Sequence, residues 1–192
     1  MKRVWLALGL LVATSAYGAG TKFKTSKETV QPGSAILVGG QKIPLQGGSM
    51  KVGQELSKVL GDFELGIAGK VAVISIVPSI DTPVCEEQTH VLGETTKLNK
   101  KVARVTVSRD PAATQAKFSK KAKLTNIMYV SDAKSGAFGK RSGLMIRGID
   151  LLARAVLVVD DKGIIKHIQV VPDASMLPDM QTAFDVANKL AE

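Results

Sequence analysis

One cysteine, two histidines and very few aromatics (one Trp, two Tyr, five Phe) are all that this 192-residue chain offers of the side chains that most often carry special chemistry. A single thiol, Cys85, closes no disulfide within the chain, so folding rests on apolar packing. Without a Cys-x-x-Cys pair there is no dithiol reductase or isomerase motif. One cysteine and two distant histidines, His90 and His167, make no compact ligand pattern, and neither a metal nor another cofactor is expected. The shortage of aromatic rings also argues against a base-stacking platform. Long apolar runs are missing too: none approaches the roughly 20 residues that a membrane-spanning helix needs.

The short apolar run that is present stands at the start. Lys2 and Arg3 precede an apolar stretch from Val4 to Ala13, and small residues follow at Ala16, Gly18 and Ala19. This layout reads as a secretory leader, residues 1–20, cleaved between Ala16 and Gly20. The rival, an uncleaved anchor, is disfavoured by length. A periplasmic destination without stable membrane insertion is expected, with residues 21–192 as one domain. Export brings oxidising surroundings in which paired cysteines are useful, so a lone one is conspicuous. The net charge of +9 is spread along the chain, with a local cluster at Lys117, Lys120, Lys121 and Lys123. No nucleic-acid motif accompanies that cluster, so it reads as a solvated helix face and no nucleic-acid partner is expected.

Beyond a polar lead-in, Ser34–Val38 and Lys42–Leu45 flank Gly39-Gly40 as a small hairpin. Lys51 to Lys70 obeys no clean period and reads as loop with a short helix. Val71–Val77 is a nearly continuous, β-branched apolar run, suited to an interior strand covered on both faces. Val84, Gln88, Val91, Thr95 and Leu98 recur at helical spacing, which places Cys85 in a first turn. Val102–Val107 is the next strand, and Pro111 suits the start of the helix running through Phe118. Asn126–Val130 returns to strand, Ala133–Ile149 is mixed, and Ala153–Val159 with Ile164–Val170 forms a hairpin across Asp160–Gly163. Leu177–Leu190 closes the chain as an amphipathic helix. The order predicts an α/β, thioredoxin-like fold: a mixed central sheet flanked by helices, with an N-terminal β-hairpin.

The reactive form of a thiol is the thiolate, and backbone N–H groups at a helix start favour negative charge there. Pro78 and Pro83 restrict the approach to Cys85, and Thr82 stands three residues before it with a hydroxyl to offer. The bland alternative is a small hydrophobe packed in the core. Arg154 interrupts an apolar run, where an unpaired charge is expensive, so a buried anionic partner is expected for it. A hydrolase reading needs a base, and His90, five residues beyond Cys85, should point away from the thiol.

The pattern Pro-x-x-x-Thr-x-x-Cys on Pro78, Thr82 and Cys85 resembles the bacterial thiol peroxidases, a branch of the peroxiredoxins. Ser108-Arg109-Asp110-Pro111 and Leu152-Ala153-Arg154-Ala155-Val156 match as well, and the similarity covers most of residues 34–190. The resemblance implies that Cys85 attacks a peroxide and becomes a sulfenic acid. It implies that Thr82 positions the peroxide, Pro78 shields the pocket, and Arg154 donates hydrogen bonds to sulfur and peroxide oxygens. Hydrogen peroxide or an organic hydroperoxide is then the substrate, and a homodimer is expected. Two departures stand out. The second, resolving cysteine of typical members falls at Ser119, so a thiol from outside, such as a thioredoxin-like protein, must recycle Cys85. The region from Gly53 to Gly69 is also shorter than in typical members. The alternative is a non-catalytic secreted protein that keeps a thioredoxin fold for binding or chaperone-like work.

Overall fold

A computed structural model gives the fold and describes residues 22–192; the expected leader, residues 1–20, lies outside the described residues. The expected hairpin forms from β1 (Ala35–Val38) and β2 (Gln41–Gln46), antiparallel across Gly39 and Gly40. Both turn glycines have positive φ, the conformation that tight two-residue hairpin turns demand. The irregular stretch that follows contains one short helix, α1 (Leu56–Leu60).

The chain then alternates: β3 (Ala72–Ile76), α2 (Pro83–Glu94), β4 (Ala103–Ser108), α3 (Ala112–Ala122) and β5 (Met128–Ser131). After α4 (Ala137–Ser142) and β6 (Met145–Ile146) come the hairpin of β7 (Ala155–Val159) and β8 (Ile165–Val170), and finally α5 (Met180–Leu190). The main sheet has the order β5-β4-β3-β7-β8, and β1, β2 and β6 make a smaller one. β3, β4 and β5 run parallel, while β7 and β8 enter antiparallel, so the sheet is mixed as expected.

β3 sits at the centre with every residue fully buried. Its alternate side chains feed two cores. Ala72, Ile74 and Ile76 pack with Val105, Leu157, Phe138 and Leu60 towards α1, α4 and the small sheet. Val73 and Val77 pack with Val156, Leu92, Phe118 and Phe184 towards α2, α3 and α5. A strand covered on both faces needs an unbroken apolar run, which is what residues 71–77 supply.

Several boundaries differ from the sequence reading. The buried face of α2 is Cys85, Glu87, Gln88, Thr89, Leu92 and Gly93; of the expected line Gln88 lies on it, while Val84 and Val91 are only half-buried. The helix also stops before Leu98: Gly93 packs against Leu124 and Ile127, and Thr95 turns extended. α5 starts at Met180 rather than Leu177, because Asp179 caps it by accepting from the Thr182 N–H at 3.3 Å. Arg154 lies just before β7 rather than within it.

The small sheet is locked onto α4 by a close backbone approach. The Gly48 N–H donates to the Lys140 carbonyl at 2.6 Å, and a Cβ on Gly47 (φ +104°) would overlap that carbonyl group. Among the described residues no helix is long and apolar enough to cross a membrane.

Candidate active site

The C-terminal end of β3 delivers the candidate cysteine. Val77 and Pro78 follow the strand, the loop runs through Asp81, and Thr82 stands at the N-cap of α2 with Pro83 in its first turn. The Thr82 carbonyl accepts from the N–H groups of Cys85 (2.9 Å) and Glu86 (2.8 Å), so Cys85 sits in the first turn as expected. That geometry fixes where its side chain emerges.

Two donors converge on the sulfur. The Thr82 hydroxyl donates to Cys85 Sγ at 2.9 Å, and Arg154 Nη2 donates to it at 3.4 Å. The same hydroxyl lies 3.2 Å from the Ser79 carbonyl, and its single proton must be shared between the two acceptors. Cys85 has no exposed surface, yet Thr82, Pro83 and Asp81 above it are exposed. The sulfur therefore lies one side chain beneath solvent, in the core cluster that also holds Val77, Ile80, Leu92 and Phe118. Pro78 is half-buried at the root of the loop.

Arg154 is 2 % exposed and fully engaged. Its Nε donates to the Ala174 carbonyl (3.1 Å) and its Nη1 to Gln88 Oε1 (2.8 Å), which leaves Nη2 for the sulfur. Of these three acceptors, only the sulfur can carry a full negative charge. Where a buried anionic partner was expected for Arg154, the structure places the sulfur of Cys85.

Gln88, one turn beyond Cys85, was missed as a site residue. Its Oε1 holds Arg154, while its Nε2 reaches Ser75 Oγ (2.8 Å), the Ala155 carbonyl (3.2 Å) and the Ile76 carbonyl (3.3 Å). A polar residue on a helix's buried stripe was the available signal. Asp110 was quoted within a motif but given no role; its carboxylate accepts from Ser79 Oγ and the Ile80 N–H in the cysteine loop.

The histidines stand outside this group. His90 Nδ1 lies 2.7 Å from Glu94 Oε1 on α2, and His167 sits on β8, where burial pushes its imidazole below the usual range against a smaller opposing pull from Asp179. Ser119 lies half-buried on α3 with its hydroxyl donating to the Leu124 carbonyl at 3.1 Å. Lys117, Lys120, Lys121 and Lys123 are all exposed, in keeping with a solvated helix face. Among the described residues no cluster of three His, Cys, Asp or Glu is placed to hold a metal.

Residues 39–184 match the family model for Redoxin. The chain is 37 % identical over 139 residues to a thiol peroxidase of Listeria innocua, covering 72 % of this chain and 82 % of that one. It is 31 % identical over 164 residues to a thiol peroxidase of Bacillus subtilis, covering 82 % and 98 %. Its fold is similar to the crystal structure of a peroxiredoxin-like protein from Aquifex aeolicus, with a TM-score of 0.72, 28 % identity, and coverage of 82 % of this chain and 97 % of that one.

Proposed function

The chain belongs to the redoxin family, within its thiol peroxidase group, and from that premise we propose how its one cysteine turns over. The protein is a thiol-dependent peroxidase acting through buried Cys85. The thiolate attacks the nearer oxygen of a hydroperoxide, the O–O bond breaks, and the leaving oxygen takes a proton to depart as water or an alcohol. Cys85 is left as a sulfenic acid, two electrons oxidised.

In this reading Thr82 orients the peroxide with its hydroxyl, and Arg154 stabilises the thiolate and the charge that moves onto the leaving oxygen. Pro78 fixes the loop root and walls the pocket. The observation that carries the assignment is that Thr82 Oγ1 and Arg154 Nη2 aim at one sulfur from two different parts of the chain. A scaffold kept only for binding has no use for a buried arginine spent on a thiol, and this speaks against the non-catalytic alternative.

Recycling needs a thiol from another molecule, because Ser119 has no sulfur to offer. That thiol condenses with the sulfenic acid to a mixed disulfide, releasing water, and a second thiol of the reductant frees Cys85. We assign the second step to a thioredoxin-like dithiol protein, the site of action to the periplasm after loss of residues 1–20, and the working form to a homodimer. Charge and spacing in the leader support the second assignment.

The test is a single turnover. One equivalent of peroxide should add one oxygen to Cys85, seen by intact mass, and Cys85→Ser should remove both that adduct and all dithiol-driven peroxide consumption. An unmodified thiol after that exposure would sink the assignment.

A further inference from the structure

The cysteine loop is tied to the rest of the molecule by the buried side chain of Ile80 and, for its hydrogen bonds, at one point. Among the described residues, the hydrogen bonds that leave residues 78–81 for a different part of the chain both go to the Asp110 carboxylate: Ser79 Oγ donates to Oδ1 at 2.9 Å and the Ile80 N–H donates to Oδ2 at 2.7 Å. Asp110 lies between β4 and α3 and is itself held on two sides. Its carbonyl accepts from Ser131 Oγ (2.6 Å) on β5, and its N–H donates to Ser108 Oγ (3.4 Å) at the end of β4. Ser108 Oγ in turn accepts from buried Gln115 (2.8 Å). One carboxylate anchored on two core strands thus grips the segment that leads into Thr82 and Cys85.

We propose that Asp110 is a positioning residue for the peroxide step: it holds the 79–80 segment closed so that Thr82 and the first turn of α2 present Cys85 to its two donors. The proposal rests on the peroxidase reading, and it adds a consequence. Both substrates must reach a sulfur that has no exposed surface, but a hydroperoxide needs only a small opening above it, whereas a reductant's bulky thiol needs the loop displaced. The same grip that speeds oxidation therefore resists reduction. Asp110 sets the balance between the two half-reactions without touching either substrate.

In Asp110→Asn the amide oxygen can keep the Ile80 N–H and the amide NH2 can donate to the Ser79 hydroxyl, so both bonds remain but lose the charge that strengthened them. In that variant the rate of Cys85 oxidation by peroxide should fall about tenfold. Reduction of the oxidised enzyme by an external dithiol should not fall and should rise. Ser79→Ala, which leaves the Ile80 bond and the charge in place, should show the same split at about threefold. Amide exchange at Ile80 should quicken in both variants while that at Val105, within β4, stays as it was. If both half-reactions fall together, or neither changes, Asp110 is a structural residue and the proposal fails. Ser79→Ala serves should Asp110→Asn not fold. Exchange at Ile80 and alkylation of Cys85 by iodoacetamide report on the loop without any peroxide chemistry. If the natural protein forms no sulfenic acid, the peroxidase reading fails, while unchanged exchange and alkylation in the variants would overturn the clamp alone.

Discussion

The two faces of β3 are built from alternate residues of one strand and do different work. Ala72, Ile74 and Ile76 look onto a core of hydrocarbon from α1, α4 and the small sheet. On the other face, Ser75 stands between Val73 and Val77, and its hydroxyl accepts from Gln88, which holds Arg154, which reaches Cys85. Both faces are equally dry. They differ in what β3 itself supplies: only hydrocarbon on the first, but on the second Ser75, bonded to Gln88 in a chain that ends at Cys85. Thr106 Oγ1 is the buried hydroxyl on β4 left without a hydrogen-bond partner among the described residues. Buried polar groups cost stability unless bonded, so a bonded chain of them that leads to one sulfur is a feature packing alone would not call for.

That contrast can be broken by substitution. Ile74→Ala on the hydrocarbon face should cost about 2–5 kcal/mol of stability by opening a cavity, measured by urea unfolding, with the peroxide rate per folded molecule unchanged. Arg154→Met should do the reverse: the melting temperature stays near that of the natural protein, because replacing a buried charge by a matched apolar chain is often neutral. Its single-turnover oxidation should slow by about a hundredfold. Gln88→Leu leaves Arg154 in place with one acceptor fewer, and about tenfold of the oxidation rate should go. If Ile74→Ala slowed the chemistry as much as Arg154→Met, the division between the faces would not hold.

A smaller effect separates the faces by pH. His167 on β8 pairs in register with Val158, which faces the cysteine side, and burial lowers its imidazole against the opposing pull of Asp179. A lowered folded value means that the unfolded chain binds the proton more readily. The contribution of His167 is therefore full above the ordinary imidazole range, about pH 6.5, and is lost as pH falls through the lower folded value. The urea midpoint should drop between about pH 7.5 and about pH 5.5, and His167→Gln should flatten that slope. An unchanged slope in the variant would assign the pH dependence to other groups.

Much of this was legible in the residues, for identifiable reasons. The run from Val71 to Val77 announced a two-sided strand because alternation is absent where both faces are buried, and Gly39-Gly40 announced the hairpin because few residues tolerate two positive φ angles in a row. Arg154 gave itself away as a charge in an apolar stretch. Gln88 stood on the expected helical line but drew no role, because a glutamine at helical spacing does not say which groups its amide will meet. Asp110 was equally silent: its role depends on a loop 30 residues earlier, and nothing local in Asp-Pro specifies what the carboxylate will meet.

Periodicity, turn residues and the scarcity of cysteine are local properties, and they determined the order of elements, the central strand and the choice of nucleophile. Which groups would stand around that nucleophile was decided by strand order and helix rotation. These bring Gln88, Asp110, Arg154 and the Ala174 carbonyl to the end of β3 from separate stretches of chain. A hydrogen bond is set by distance and angle in space, and separation along the sequence carries neither.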